Sequence, residues 1–94
     1  AAVPPYRMER RGQEEDPALR LAAERFLSAD KGPAQAGQVV LFRLGGAPEP
    51  RHCGILIAPD RFIHAQEHLG VTEANLTPGW AKRISGRYRF PNSR

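Results

Sequence analysis

One cysteine is present in the 94 residues, so no disulfide can close within the chain. Cys53 is therefore either a small buried hydrophobe or a reactive thiol, and the redox compartment stays open. No apolar run approaches the roughly 20 residues that a membrane-spanning helix needs. The opening Ala1-Ala2-Val3-Pro4-Pro5 lacks the charged and apolar regions of a signal peptide. Aromatic residues are few, at 7%, and mostly fall in apolar stripes, which disfavours an exposed base-stacking surface for nucleic acid. Internal repeats and low-complexity tracts are absent. In their place stands a modestly basic chain, with 14 Lys and Arg against 10 Asp and Glu, a net charge of +4 and a pI near 10.0. That balance favours an anionic partner without choosing one. The basic residues gather towards the end, at Lys82, Arg83, Arg87, Arg89 and Arg94, where a solvated face accounts for them.

The length limits the chain to one domain at the small end of the range, where the buried fraction of surface is low. Residues 1–15 are Pro-rich and then charged, without apolar period, and read as an extended lead-in. Asp16-Pro17 offers a capping carboxylate followed by a proline suited to the first helical position. Leu19, Ala22, Ala23, Phe26 and Leu27 then recur at helical spacing, with Arg20, Glu24 and Arg25 turned to water. Lys31-Gly32-Pro33 is expected to end this helix. Beyond it, Val39 to Phe42, His52 to Ile57 and Phe62 to Ala65 are short β-forming runs separated by Gly, Pro and Asp, which predicts an antiparallel meander. Gly70 to Glu73 predicts a short further strand and Pro78 to Arg83 a single helical turn. Ile84 to Phe90 predicts a closing strand, with Tyr88 and Phe90 on one face.

His52 opens one of these strands and His64 lies in the next, with a tight turn between them. Residues about equally far from such a turn face one another, so the imidazoles can meet on one side of the sheet. A base and the group that fixes its tautomer need that geometry; two ordinary strand histidines would show the same spacing. A zinc site is the rival chemistry, from His52, Cys53, His64 and His68. Adjacent strand residues point to opposite sides, so these four do not assemble into a ligand set, and no metal or other cofactor is expected.

The wider text decides between these readings. Gly37-Gln38-Val39-Val40-Leu41-Phe42, Arg51-His52-Cys53-Gly54-Ile55, Arg61-Phe62-Ile63-His64-Ala65 and Gly70-Val71 follow one another in order. They resemble the pattern of the NlpC/P60 cell-wall cysteine peptidases: a Gly-Asp-hydrophobic run, a His-Val-Gly-Ile strand, an Ile-His-Ala strand and a Gly-Val turn. The resemblance runs from about Gly37 to Pro91. The ending, Pro78-Gly79-Trp80 and Ile84 to Pro91, is most similar to the branch found with phage tails and gene transfer agents, as are the helical stretch and the Pro-Pro-Tyr lead-in.

The resemblance implies an α+β, papain-like domain, with an antiparallel sheet and an N-terminal helix packed on it, of which residues 16–94 would be the C-terminal part. It implies hydrolysis of peptide bonds in the cell-wall peptide, with His52 as general base and His64 as the third catalytic position that orients it. The family nucleophile is a cysteine at the start of an upstream helix, where the thiolate is stabilised. No residue of this chain matches it. Cys53 stands where the family has valine, on the side away from His52, and reads as core. Gln38 replaces the usual Asp, a change expected to alter a turn and leave the chemistry untouched.

The intact protein is thus expected to be a peptidoglycan endopeptidase with a Cys-His-His site. The implied setting is the tail tip or baseplate of a phage-like particle, acting in the bacterial periplasm or cell wall. The 94 residues by themselves are expected to be inactive. The competing expectation is a non-catalytic structural or docking module of a tail tip or cell-wall-binding assembly, and a cysteine-bearing helix upstream would separate the two.

Overall fold

The computed structural model describes residues 16–66 and 68–91, so the expected lead-in over 1–15 lies outside the described residues. Helix α1 spans Ala18–Phe26. It starts one residue later than Asp16-Pro17 suggests: Pro17 is itself the N-cap and no side chain caps the helix, while the Asp16 carboxylate, just outside it, accepts from the Ala18 backbone N–H at 3.0 Å. Strands β1 (Ser28–Ala29), β2 (Val39–Phe42), β3 (His52–Ala58), β4 (Arg61–Gln66) and β5 (Gly70–Asn75) follow, then the short helix α2 (Pro78–Ala81) and strand β6 (Ile84–Arg89). The strands form one antiparallel sheet in the order β1-β6-β2-β3-β4-β5. This is the α+β arrangement of a helix beside an antiparallel sheet. The β2-β3-β4 meander forms as expected, extended by β5 and flanked by β6, which returns to pair with β2.

Alternation along the strands gives the sheet two unequal faces. On one, Val40, Phe42, Leu56 and Phe62 are almost completely buried, and Ala34, Ala74, Leu76, Trp80 and Ile84 pack around them. On the other, Leu41 and Tyr88 meet Ala23 of α1, with Leu19, Leu27 and Val39 alongside. Only part of the expected helical stripe is used. Ala22 is exposed and Phe26 is 65% exposed, because α1 packs on Leu41 and Tyr88 through Ala23, with Leu19 and Leu27 alongside. The helix also stops earlier than Lys31-Gly32-Pro33: Leu27 is already extended, and Ser28 and Ala29 pair with Arg89 and Tyr88. That pairing continues as the Asp30 N–H donates to the Arg87 carbonyl at 2.9 Å. Phe90 does not share the position of Tyr88; it lies past the end of β6 and is 47% exposed.

Gln38, where Asp was expected, organises the connection from α1 to β2. Its side chain is buried, its amide donates to Asp30 Oδ2 at 2.9 Å and to the Pro33 carbonyl at 3.1 Å, and its carbonyl oxygen accepts from Arg87 Nη1 at 3.1 Å. A buried amide satisfied at both ends fixes a turn without an unpaired polar group. Arg20 performs a similar service outside the sheet, with its guanidinium forked onto both carboxylate oxygens of Glu49 at 2.8 and 3.1 Å.

Candidate active site

His52 starts β3 and His64 lies in β4, both on the more deeply packed face. They are not directly opposed. The register pairs Ile55 with Ile63 and Leu56 with Phe62, so its continuation sets His64 across from Gly54 and places His52 on the diagonal. Diagonal neighbours are within reach of long side chains, and His52 Nε2 lies 2.7 Å from His64 Nδ1. Gly54 makes this possible. A Cβ at that position would come within 2.8 Å of the Ile63 carbonyl oxygen and 2.9 Å of the Phe62 ring, and 3.6 Å from His64 Cβ. The glycine of the His-Cys-Gly-Ile segment is thus a packing requirement, since it lets β4 approach until the imidazoles touch.

The two histidines differ in surroundings. His64 is 5% exposed, whereas His52 is half-buried. Burial pushes the His52 imidazole below its ordinary value of 6.5, and the neighbouring His64 pushes it the same way. At neutral pH His52 is therefore an uncharged imidazole able to accept a proton. Its Nε2 is engaged by His64, so Nδ1 is the nitrogen left for an incoming group. For Nδ1 to hold the lone pair, Nε2 must carry the proton and donate it to His64 Nδ1. In that tautomer the second ring holds the first through a hydrogen bond.

Around the pair lies an aromatic cluster. Trp80, on α2, stands 6.0 Å from His52 and 5.5 Å from His64 between ring centroids. It also contacts Phe42 at 4.9 Å and Phe62 at 5.2 Å. An open groove of about 360 Å3 passes the pair, with Leu44, Gln66, Leu69 and Trp80 among its walls. Thr72 steadies one wall by donating its hydroxyl to Gln66 Oε1 at 2.9 Å. Trp80 carried no functional expectation from sequence. The available signal was Thr77-Pro78, a cap and a first-turn proline that begin a helix three residues before an aromatic side chain.

A profile of the NlpC/P60 family matches residues 6–89. The chain belongs to the NlpC/P60 family. Among curated proteins, a probable endopeptidase of Haemophilus influenzae is 34% identical over 53 residues, 55% of this chain and 33% of the relative. The chain thus spans about a third of the length of that relative. The family profile begins well upstream of Gly37, where the recognisable blocks start, and takes in α1 as well.

Within this NlpC/P60 chain Cys53 departs from the reading of it as core. It does face away from His52, but the residue is exposed. Helix α1 covers β2 and β6 and leaves the outer face of β3 open, so Cys53, Ile55 and Ile57 all meet solvent on that side. Partial desolvation still pushes the thiol pKa above the ordinary value. A thiol kept protonated and held on the opposite face from both imidazoles cannot be activated by them. His68 sits in the β4–β5 turn with a positive φ of 73° and is exposed. Among the described residues, no group of three or more His, Cys, Asp or Glu side chains converges as a metal site.

Proposed function

We propose that the intact protein is a peptidoglycan endopeptidase of the cysteine type, in which His52 is the general base and His64 the residue that orients it. The 2.7 Å contact between His52 Nε2 and His64 Nδ1 carries this reading, because it commits one nitrogen of His52 to positioning and leaves Nδ1 for the nucleophile. Family membership and the endopeptidase relative supply the reaction class. The nucleophile is proposed to be a cysteine contributed from outside these 94 residues, since Cys53 faces the wrong side of the sheet.

The chemistry follows from these positions. His52 Nδ1 takes the proton of the incoming thiol as sulfur attacks the peptide carbonyl carbon. The resulting imidazolium keeps its Nε2–H bonded to His64 Nδ1. It then gives the Nδ1 proton to the departing amine as the C–N bond breaks, leaving a thioester. A water molecule, deprotonated at Nδ1, attacks the thioester, and the thiol is regenerated as the acid product leaves. The open groove that both histidines line gives a peptide access to the pair.

The proposed setting is the tail tip or baseplate of a phage-like particle, with action in the periplasm or cell wall. Its support is the likeness of the segment from Pro78 to Pro91 to that branch of the family. Activity of the intact protein on purified peptidoglycan tests the assignment. His52→Ala should abolish hydrolysis, His64→Ala should weaken it strongly, and Cys53→Val should leave it nearly unchanged. Loss of activity in a folded Cys53→Val protein would overturn the placement of the nucleophile.

A further inference from the structure

Trp80 is the single tryptophan of the chain, and its position is held from several directions. Thr77 Oγ1 accepts from the Trp80 backbone N–H at 3.3 Å, capping α2. The Arg83 guanidinium lies over the indole, 5.6 Å from the ring centroid. The Arg83 N–H donates to the Trp80 carbonyl at 2.9 Å, and the Arg43 N–H in turn donates to the Arg83 carbonyl at 2.8 Å, tying α2 to the end of β2. On the other side of the segment, the Leu76 N–H donates to the Asp60 carbonyl at 2.7 Å, anchoring it to the β3–β4 turn. A helix of one turn is thus fastened at both ends to the sheet that bears the histidines.

The indole meets each imidazole differently. It lies at 30° to the His52 ring and at 77° to the His64 ring. The two imidazoles are themselves at 85° to one another. The indole makes a tilted contact with His52 and an edge contact with His64, so one side chain constrains both partners. Trp80 is also a wall of the groove that both imidazoles line.

We propose that Trp80 is a positioning residue for the histidine pair, whose indole fixes both ring orientations and keeps water from the bond between His52 and His64. The inference rests on the reading of the pair as base and orienting partner, but it concerns the bond and its protection, which can be observed without turnover. A bond between two half-turned imidazoles in contact with water would exchange its proton rapidly and spend part of its time broken. Closed by an indole, the same proton stays in place, and His52 Nδ1 keeps a constant direction into the groove. The groups that face the pair are His52 and His64 themselves and the neutral Trp80, Phe42 and Phe62 rings. Arg83 is the charged side chain over the indole.

The test is the imidazole N–H between the rings, observed by 15N-edited NMR of the protein, with water exchange measured on that proton. The wild-type proton should give a visible, slowly exchanging signal. Trp80→Phe should retain it, because a ring remains against both imidazoles. Trp80→Ala should lose it to exchange while the amide spectrum still shows a folded sheet; Trp80→Leu, which keeps apolar bulk, serves for the same comparison if the alanine variant does not fold. A signal equally protected in the folded alanine or leucine variant, or lost in Trp80→Phe, would overturn the proposal. Which ring bears the proton is read from the same spectra and tests the base assignment separately, so the two ideas can fail independently.

Discussion

The two faces of the sheet are built to different standards. Behind the histidines, Phe42, Phe62, Val40 and Leu56 are sealed, and Trp80 and Ile84 close the margin. On the reverse, Ala23 is the buried residue that α1 presents to Leu41 and Tyr88, and Ile55 and Ile57 are 39% and 41% exposed. The closed face belongs to the histidines because two imidazoles touching at 2.7 Å tolerate little movement of the strands that carry them. The open face bears a thiol and isoleucines that position nothing.

Substitutions on the two sides should separate sharply. Phe42→Ala is expected to cost about 3–5 kcal/mol in denaturant unfolding, as for a large aromatic removed from a closed core. Ile55→Ala on the open face should cost less than about 1 kcal/mol. Equal costs would mean that the reverse face is covered under the conditions of the experiment. A smaller but more local effect is expected from Gly54→Ala. The added methyl meets a backbone carbonyl that cannot move cheaply, so about 1–3 kcal/mol should be lost by overpacking. The contact between His52 and His64 should open at the same time, which a structure of the variant would show.

The closed face should also impose a pH dependence. His52 binds its proton less readily folded than unfolded, so the unfolded chain takes up more protons as the pH falls below 6.5. This contribution to stability is complete above 6.5 and is lost as the pH falls through the lower folded value. Asp30 and Glu49, whose carboxylates are held below their ordinary 3.8 and 4.5 by Gln38 and Arg20, act in a lower window. Thermal melts of the wild type between pH 7.5 and 5 should therefore fall more steeply than those of His52→Gln, and parallel curves would remove the buried-base description of His52. The smallest effect is expected on the open face, where Cys53→Val should change stability by no more than about 0.5 kcal/mol.

Most of the closed face could be read from the text of the chain. Val39 to Phe42, His52 to Ile57 and Phe62 to Ala65 are β-forming runs with turn residues between them, and the order of blocks pointed to two facing histidines. Their diagonal relation could not be read in the same way, because the bulge between Leu56 and Ala58 shifts the register. Trp80 escaped notice because its role comes from where α2 lands on the sheet, a tertiary fact with no periodic signature. On the open face the sequence misled. Ala22, Phe26 and Cys53 have the character of core residues, but burial needs a partner surface, and the packing of α1 on Leu41 and Tyr88 leaves these three exposed. The two-residue strand β1 has no pattern of its own and exists because Arg89 and Tyr88 supply a ladder beside it.

The most direct measurement of the proposed site is the tautomer of His52 at pH 7.5, from the 15N shifts of its ring nitrogens. A base oriented by His64 should carry its proton on Nε2, donated to His64 Nδ1, with Nδ1 unprotonated and facing the groove. A proton found on His52 Nδ1, with Nε2 accepting from His64, would leave no lone pair for a nucleophile's proton and would contradict the assignment of His52 as the base.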